Sequence, residues 1–180
     1  NDDTVKCWGN GAIGQLGYGD TTWRGDGPNE MGDNLPTVNL GTGKTAKQLV
    51  AGWKHMCAVL NDDTLKCWGQ GDNGKLGGGN ENHRYNPYST PVDLGTGKTA
   101  KQVVAGHYHT CAVLNDDTVK CWGYGGFGRL GYGDTSSRGD ESNEMGNNLP
   151  AVLPYTCVAG TYSPNSETAC QNCSAGSVTD

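Results

Sequence analysis

The stretch "HMCAVLNDDTLKCWGQGDNGKLGGG" (residues 55–79) decides the fold. Two short runs, His55–Leu60 and Thr64–Trp68, flank Asn61-Asp62-Asp63. Asn and Asp tolerate the positive φ that a three-residue hairpin loop demands. Pairing about Asp62 places Cys57 opposite Cys67 and Val59 opposite Leu65. Side chains alternate across a strand, so these four share one face and Met56 and Trp68 pair on the other. The stretch also recurs. "NDDTVKCWG" begins at Asn1, "NDDTLKCWG" at Asn61 and "NDDTVKCWG" at Asn115, spacings of 60 and 54 residues. "LGTGKTAKQLVAG" (40–52) returns as "LGTGKTAKQVVAG" (94–106). Pairing about Asp116 sets Cys111 against Cys121 and Val113 against Val119.

Each copy carries a G-x-G-x-x-G string: Gly9, Gly11, Gly14; Gly69, Gly71, Gly74; Gly123, Gly125, Gly128. A dinucleotide site needs a helix to open at the third glycine. Here more glycines follow instead, at Gly17, Gly77 and Gly131, and each would cost a helix about 1 kcal/mol relative to Ala. Repetition also argues against a cofactor: the string is a structural turn, stamped out once per unit. "GTGKT" at 41–45 and 95–99 ends like a phosphate loop. Val38 and Val92 stand where that motif needs glycine, and a strand follows.

Of 180 residues, 30 are Gly and only 34% are hydrophobic, in bursts too short for helices. Many short strands joined by tight turns follow. Each unit offers four: Ala46–Ala51, His55–Leu60, Thr64–Trp68 and a Pro-led strand such as Pro91–Leu94. Four short strands per unit is a propeller blade. The expected fold is all-β: a partial β-propeller of about three four-stranded blades, an arc of a longer ring, over residues 1–153. Net charge is −6 and the lysines are scattered, which does not suit nucleic acid. No apolar run approaches the ~18 residues of a membrane span. The chain lacks an initiator Met and a leader, as a piece of a longer protein would.

Cross-strand register predicts disulfides Cys57–Cys67 and Cys111–Cys121. The partner of Cys7 would lie before Asn1, leaving Cys7 unpaired by truncation. Such bridges persist in oxidising compartments. The competing metal set, His55, Cys57 and Cys67 or His107, His109, Cys111 and Cys121, does not recur as a unit, since His107 aligns with Trp53. His55 and His109 do recur, as turn anchors. Trp8, Trp68 and Trp122 also recur and belong to the core or to strand ends. Trp23 and Trp53 do not recur and are candidate partner contacts. So are Arg24 and Asp26, and Arg138 and Asp140, in two Arg-Gly-Asp tripeptides. The same loops carry Asp20, Asp26, Glu30 and Asp33, against Asp134, Asp140, Glu144 and Asn147, oxygens that could hold calcium. No other cofactor and no catalytic set is expected.

The Ala-Gly-x-x-His-x-Cys-Ala-Val-Leu strand (51–60, 105–114) and the Cys-Trp-Gly-x-Gly-x-x-Gly-x-Leu-Gly-x-Gly string resemble the regulator-of-chromosome-condensation repeat family. That resemblance implies propellers, usually of seven blades. From Pro154 the pattern stops. The tail, 154–180, resembles a truncated ephrin-receptor-like cysteine-rich module. It implies a Cys157–Cys170 bridge, with Cys173 opening a second module and left unpaired. Such modules are extracellular in that family. The expected function is a non-catalytic, extracellular or surface-exposed scaffold that binds another protein. The alternative is an intracellular guanine-nucleotide exchange or chromatin regulator.

Overall fold

The computed structural model describes residues 4–87 and 90–152, and the backbone of 161–162 and 171–172. Two three-stranded antiparallel sheets follow one another: β1 (Ala46–Ala51), β2 (His55–Leu60) and β3 (Leu65–Gly69), then β4 (Ala100–Ala105), β5 (His109–Leu114) and β6 (Val119–Gly123). A two-residue pair, β7 (Thr161–Tyr162) and β8 (Gln171–Asn172), lies in the tail. Cys157, Cys170, Cys173 and the rest of 154–180 lie outside the described residues.

The hairpins have the expected register. Cys57 faces Cys67, Val59 faces Leu65 and Met56 faces Trp68; Cys111 faces Cys121 and Val113 faces Val119. Both cysteine pairs are bonded. That bonding removes the metal reading of Cys57, Cys67, Cys111 and Cys121. Asp63 and Asp117 take the left-handed turn position, at φ 63° and 66°.

The two faces of the middle sheet enter different cores. Ala58, Leu60 and Trp68 pack with Val5, Cys7, Leu16, Val38 and Leu40 of the first unit. Cys57, Val59, Leu65 and Cys67 pack with Val103, Ala112, Leu114 and Trp122 of the third. Side-chain alternation thus builds one layer of core between each pair of neighbours. At Leu49 and Val103 the same repeat position meets different fates. Val103 is fully buried against the middle sheet, and Leu49, with no sheet covering it, is exposed.

Two expectations need correction. The fourth strand is not a strand. The outer segment touches β3 only at its ends. Val92 N–H donates to Leu65 O (2.7 Å), and Arg84 and Gly69 exchange two bonds. The third unit repeats this with Val152 on Val119 and Arg138 on Gly123. The first unit, in turn, is not a sheet. Thr4–Trp8 is extended, with Val5 holding Val38 and the following Gly9 holding Arg24, but no described segment lies where β2 lies beside β3. Trp8 is therefore 61% exposed, whereas Trp68 and Trp122 are buried.

The glycine string is explained by close backbone approach. A Cβ on Gly71 would sit 2.1 Å from the carbonyl oxygen of Asn82, and one on Gly125 1.8 Å from that of Ser136. Only glycine fits.

Non-reducing peptide mapping will recover Cys57–Cys67 and Cys111–Cys121. Cys7, buried and with its thiol pushed up to about 11 by desolvation, will resist alkylation until the chain is unfolded. Replacing the Cys57 and Cys67 pair by Ser will cost about 2–3 kcal/mol in urea unfolding, since the bridge closes a short loop.

Candidate functional site

Each sheet has two opposite ends. At one, the β2–β3 and β5–β6 hairpin loops meet the Gly-Thr-Gly-Lys-Thr turns. Lys44 pairs with Asp62 and Lys98 with Asp116. Lys47 and Lys101 pair with Asp63 and Asp117 at 2.6 Å. The Lys44 ammonium holds the Asp62 carboxyl down at about 2. These lysines are committed to carboxylates, so the turns are not phosphate cradles.

The other end is aromatic. It is built from the turn after β1 (52–54), the turn after β4 (106–108) and the segment that follows β6. Trp53 N–H donates to Gly106 O (3.4 Å) across the two sheets. That bond sets the Trp53 ring on His107, centroids 4.2 Å apart and nearly parallel. His107 meets Tyr108 edge-on at 4.0 Å, and Tyr108 meets Tyr124 at 6.2 Å. Cations cover the row. Lys54 Nζ lies 4.2 Å from the Trp53 ring, and the Arg129 guanidinium lies 4.7 Å from Tyr124 and 5.7 Å from Phe127. Trp53 is 42% exposed and Phe127 92%. Phe127 also holds φ at 62°, a left-handed conformation that a bulky residue rarely adopts. The row thus combines rigid aromatic area with guanidinium and ammonium groups, on a chain of net charge −6.

Beneath the row, buried polar groups lock the two sheets together. The Thr110 hydroxyl donates to Lys75 O (2.8 Å), so His55 Nε2–H donates to Thr110 Oγ1 (3.1 Å). Trp122 Nε1–H also donates to Lys75 O (3.1 Å). The Lys75 side chain is buried and donates to Gln70 Oε1 (2.8 Å); burial lowers its pKa. Burial likewise holds the His55 imidazole down at about 4, so it is neutral at physiological pH. Gln48 pairs its amide with both backbone groups of Val103, each at 2.9 Å.

Trp53 is the one sequence candidate that the aromatic row incorporates. Trp23 is half-exposed elsewhere. Arg24 and Arg138 turn back onto Asp20 and Asp134 (2.8 Å each) and stack over Tyr18 and Tyr132. The backbone N–H groups of Asp26 and Asp140 are held by Glu30 and Glu144. Asp140 is half-buried, and its backbone lies against Gly74 of the preceding unit. The loop acids are therefore not convergent. Asp20 bonds Arg24, while Glu30 collects the N–H groups of Gly25, Asp26 and Gly27. Among the described residues, no three His, Cys, Asp or Glu side chains are placed to hold a metal, so the suggested calcium set is not assembled.

Sequence reasoning missed Lys54, Tyr108, Tyr124, Phe127 and Arg129, and weighed His107 only as a metal ligand. Their signal was variation at equivalent repeat positions. Trp53 aligns with His107, Lys54 with Tyr108, Gln70 with Tyr124 and Asn73 with Phe127.

Residues 46–75 and 100–129 match one sequence profile of the Regulator of chromosome condensation (RCC1) repeat, and residues 62–113 match a second. These are RCC1 repeats. The chain is 34% identical over 74% of its length to the Ultraviolet-B receptor UVR8 of Arabidopsis thaliana, of which it covers 28%. It is 31% identical over 73% of its length to the probable E3 ubiquitin-protein ligase HERC4 of Homo sapiens, of which it covers 12%. It therefore spans less than a third of the length of these relatives. Among solved structures, Prp20p of Saccharomyces cerevisiae, studied with its binding to Gsp1p and histones, superposes with a TM-score of 0.59. That match has 20% identity and covers 81% of this chain and 33% of Prp20p. The RCC1 propeller fold is thereby shown, and the two sheets are partial blades of it.

The buried histidine makes stability pH-dependent. An imidazole whose pKa is lowered by folding stabilises the native state fully above its unfolded pKa, near 6.5, and loses that stabilisation as pH falls toward 4. The melting temperature will drop across that window, and the drop will be shallower in His55→Asn. Phe127→Gly, by relieving a left-handed aromatic, will raise stability by about 1 kcal/mol in urea unfolding.

Proposed function

We propose that this RCC1-repeat segment is a non-catalytic scaffold that binds another protein through the aromatic end of its blades. The observation that carries this reading is the Trp53–His107–Tyr108–Tyr124 row with Phe127 and Arg129 beside it. Trp, Tyr and Arg are the side chains that most often anchor protein interfaces. The row sits on turns that the Cys57–Cys67 and Cys111–Cys121 bridges and the His55–Thr110–Lys75 chain hold rigid, so little ordering entropy is lost on binding. Prp20p, which shares the fold, binds proteins, and that supports the mode without naming the partner.

The same disulfides support an extracellular or surface-exposed setting, since such bridges are rare where thiols are kept reduced. A cysteine-rich module at 154–180 of the ephrin-receptor-like kind fits that setting. The second reading, an intracellular exchange or chromatin factor, draws on Prp20p and its binding to Gsp1p and histones.

Two measurements test these readings. The chain, immobilised on a biosensor, will be screened against an array of purified extracellular domains and against Gsp1p and histones. Binding is expected in the first set. Trp53→Ala with Phe127→Ser should weaken it by at least about 2 kcal/mol, with the melting temperature unchanged. Undiminished binding by that variant moves the interface elsewhere. Alkylation of the protein from its native source, before reduction, should leave Cys57, Cys67, Cys111 and Cys121 unmodified. Their alkylation would favour the intracellular reading.

A further inference from the structure

The three units differ at one chemically pointed place. The first carries Tyr18-Gly19-Asp20 and the third Tyr132-Gly133-Asp134, but the middle one carries Gly78-Gly79-Asn80. In the first unit the Tyr18 hydroxyl accepts from the Cys7 N–H (2.9 Å) and lies within reach of the carbonyls of Cys7 (2.9 Å) and Pro36 (3.1 Å). In the third, Tyr132 makes the same bridge between Cys121 and Pro150, at 3.0, 3.0 and 3.1 Å. Each tyrosine ring also supports the arginine of its unit, with the guanidinium 4.1 Å from Tyr18 and 5.0 Å from Tyr132. Asp20 and Asp134 then neutralise those arginines at 2.8 Å.

The middle unit keeps the arginine and drops both partners. Arg84 Nη1 is buried without a hydrogen-bond partner, and among the described residues Arg84 has no ion pair. Burial lowers its pKa. Arg84 as a whole is half-buried, and a cation that gives up part of its hydration with no carboxylate beside it is costly to keep. Gly78 supplies no ring, and the end of the Arg84 side chain lies over it instead, with Nη2 2.5 Å from where a Cβ would be. The resulting cavity measures about 640 Å³ and is bounded by Gly78, Arg84, Thr90 and Asp93, with the long loop of the third unit opposite. The matching space beside Tyr18 measures only about 230 Å³. The middle unit's loop is also shorter: seven residues lie between Arg84 and Val92, against thirteen between Arg24 and Val38. Asp93 on the cavity wall is already engaged, accepting from Gly95 N–H (2.9 Å).

We propose that this cavity is a binding site for a hydroxyaryl ring carrying a carboxylate, which supplies from outside what Tyr and Asp supply within the neighbouring units. The ring fills the space over Gly78. Its hydroxyl reaches the outer edge of β3 at Cys67 and the Thr90 carbonyl, as Tyr18 reaches Cys7 and Pro36. Its carboxylate takes the place of Asp20 on the guanidinium. The ligand is either a free phenolic acid or a tyrosine beside an acidic residue in a peptide, and the shared chemistry is the same.

Titration calorimetry on the disulfide-intact chain decides it. The probes are 4-hydroxyphenylacetate and the peptide acetyl-Tyr-Gly-Asp-amide, with 4-methylphenol and acetate as controls. At least one probe should saturate with a Kd at or below about 1 mM, and both controls should bind at least about tenfold more weakly. A better fit for the acid indicates a small-molecule ligand, and a better fit for the peptide a protein one. Arg84→Gln should weaken binding about tenfold or more. Asn80→Asp offers Arg84 an internal carboxylate four residues away, as in the other two units, and should weaken it similarly in a chain whose fold is undisturbed. Gly78→Tyr with Asn80→Asp should abolish binding and raise the melting temperature. A Cβ at Gly78 meets the far end of the Arg84 side chain, Nη2 at 2.5 Å and Cζ at 3.3 Å, and the Asn80 side-chain amide at 3.6 Å, so the guanidinium shifts aside as the ring enters. No saturable binding of either probe up to about 10 mM overturns the proposal. So does 4-methylphenol binding as well as the acid, or affinity unchanged in both Arg84→Gln and Asn80→Asp.

Discussion

Everything in this chain depends on how one unit seats its tryptophan on the unit before it. Trp68 and Trp122 are completely buried, and each indole N–H donates to a carbonyl of the preceding glycine string, Gln15 O and Lys75 O, at 3.1 Å. A buried indole needs such an acceptor. The carbonyl is available because the string turns sharply through left-handed glycines. Gly17 and Gly77 present no side chain beneath the ring; a Cβ there would lie 2.7 and 2.9 Å from the indole nitrogen. Each contact therefore fixes the spacing and tilt of successive sheets. A propeller built this way is stabilised by nearest-neighbour terms.

The consequence is that identical sequence gives unequal surfaces. The seam between the second and third units buries His55, Thr110 and Lys75, and it brings the turns after β1 and β4 close enough to stack Trp53 on His107. The seam between the first and second units has no such polar chain, because the first unit contributes an extended edge rather than a sheet. The aromatic end is thus a product of one seam. Its residues are the ones where the repeats disagree, while the glycines, cysteines and buried aliphatics that build the seam are the ones where they agree.

The same contrast accounts for the electrostatics. Arg24 and Arg138 are each satisfied within their own loop, by a carboxylate and a tyrosine face. Lys44, Lys47, Lys98 and Lys101 are satisfied across the hairpin end. Among the described residues Lys6, Lys54, Lys66, Lys75, Arg84, Lys120 and Arg129 form no carboxylate pair, and all of these but Lys6 lie in the middle and third units. The acidic chain as a whole therefore conceals a local cationic character that net charge could not reveal.

The hairpin register was legible from the sequence. Strand alternation and an Asn-Asp-Asp loop leave only one pairing that puts Cys57 on Cys67, and a one-residue slip would turn every side chain to the wrong face. The repeat and its glycine string named the propeller for the same reason: local geometry is dictated by residues close in the chain. The fourth strand was overread, because the pattern of Val92 and Leu94 suits a strand while the segment bonds β3 only through Val92 and Arg84. The functional residues were mostly illegible. Trp53 was visible as an oddity, but its stacking on His107 joins residues 54 positions apart, through a hydrogen bond between two sheets. The Arg-Gly-Asp loops looked available in sequence, and only the fold shows Arg138 turned back on Asp134. The sequence by itself determined the strands, their pairing and their disulfides, which are short-range consequences of pattern and turn chemistry. The tertiary structure alone decided which copies of a repeated residue are buried, paired or exposed, because that depends on which unit lies alongside.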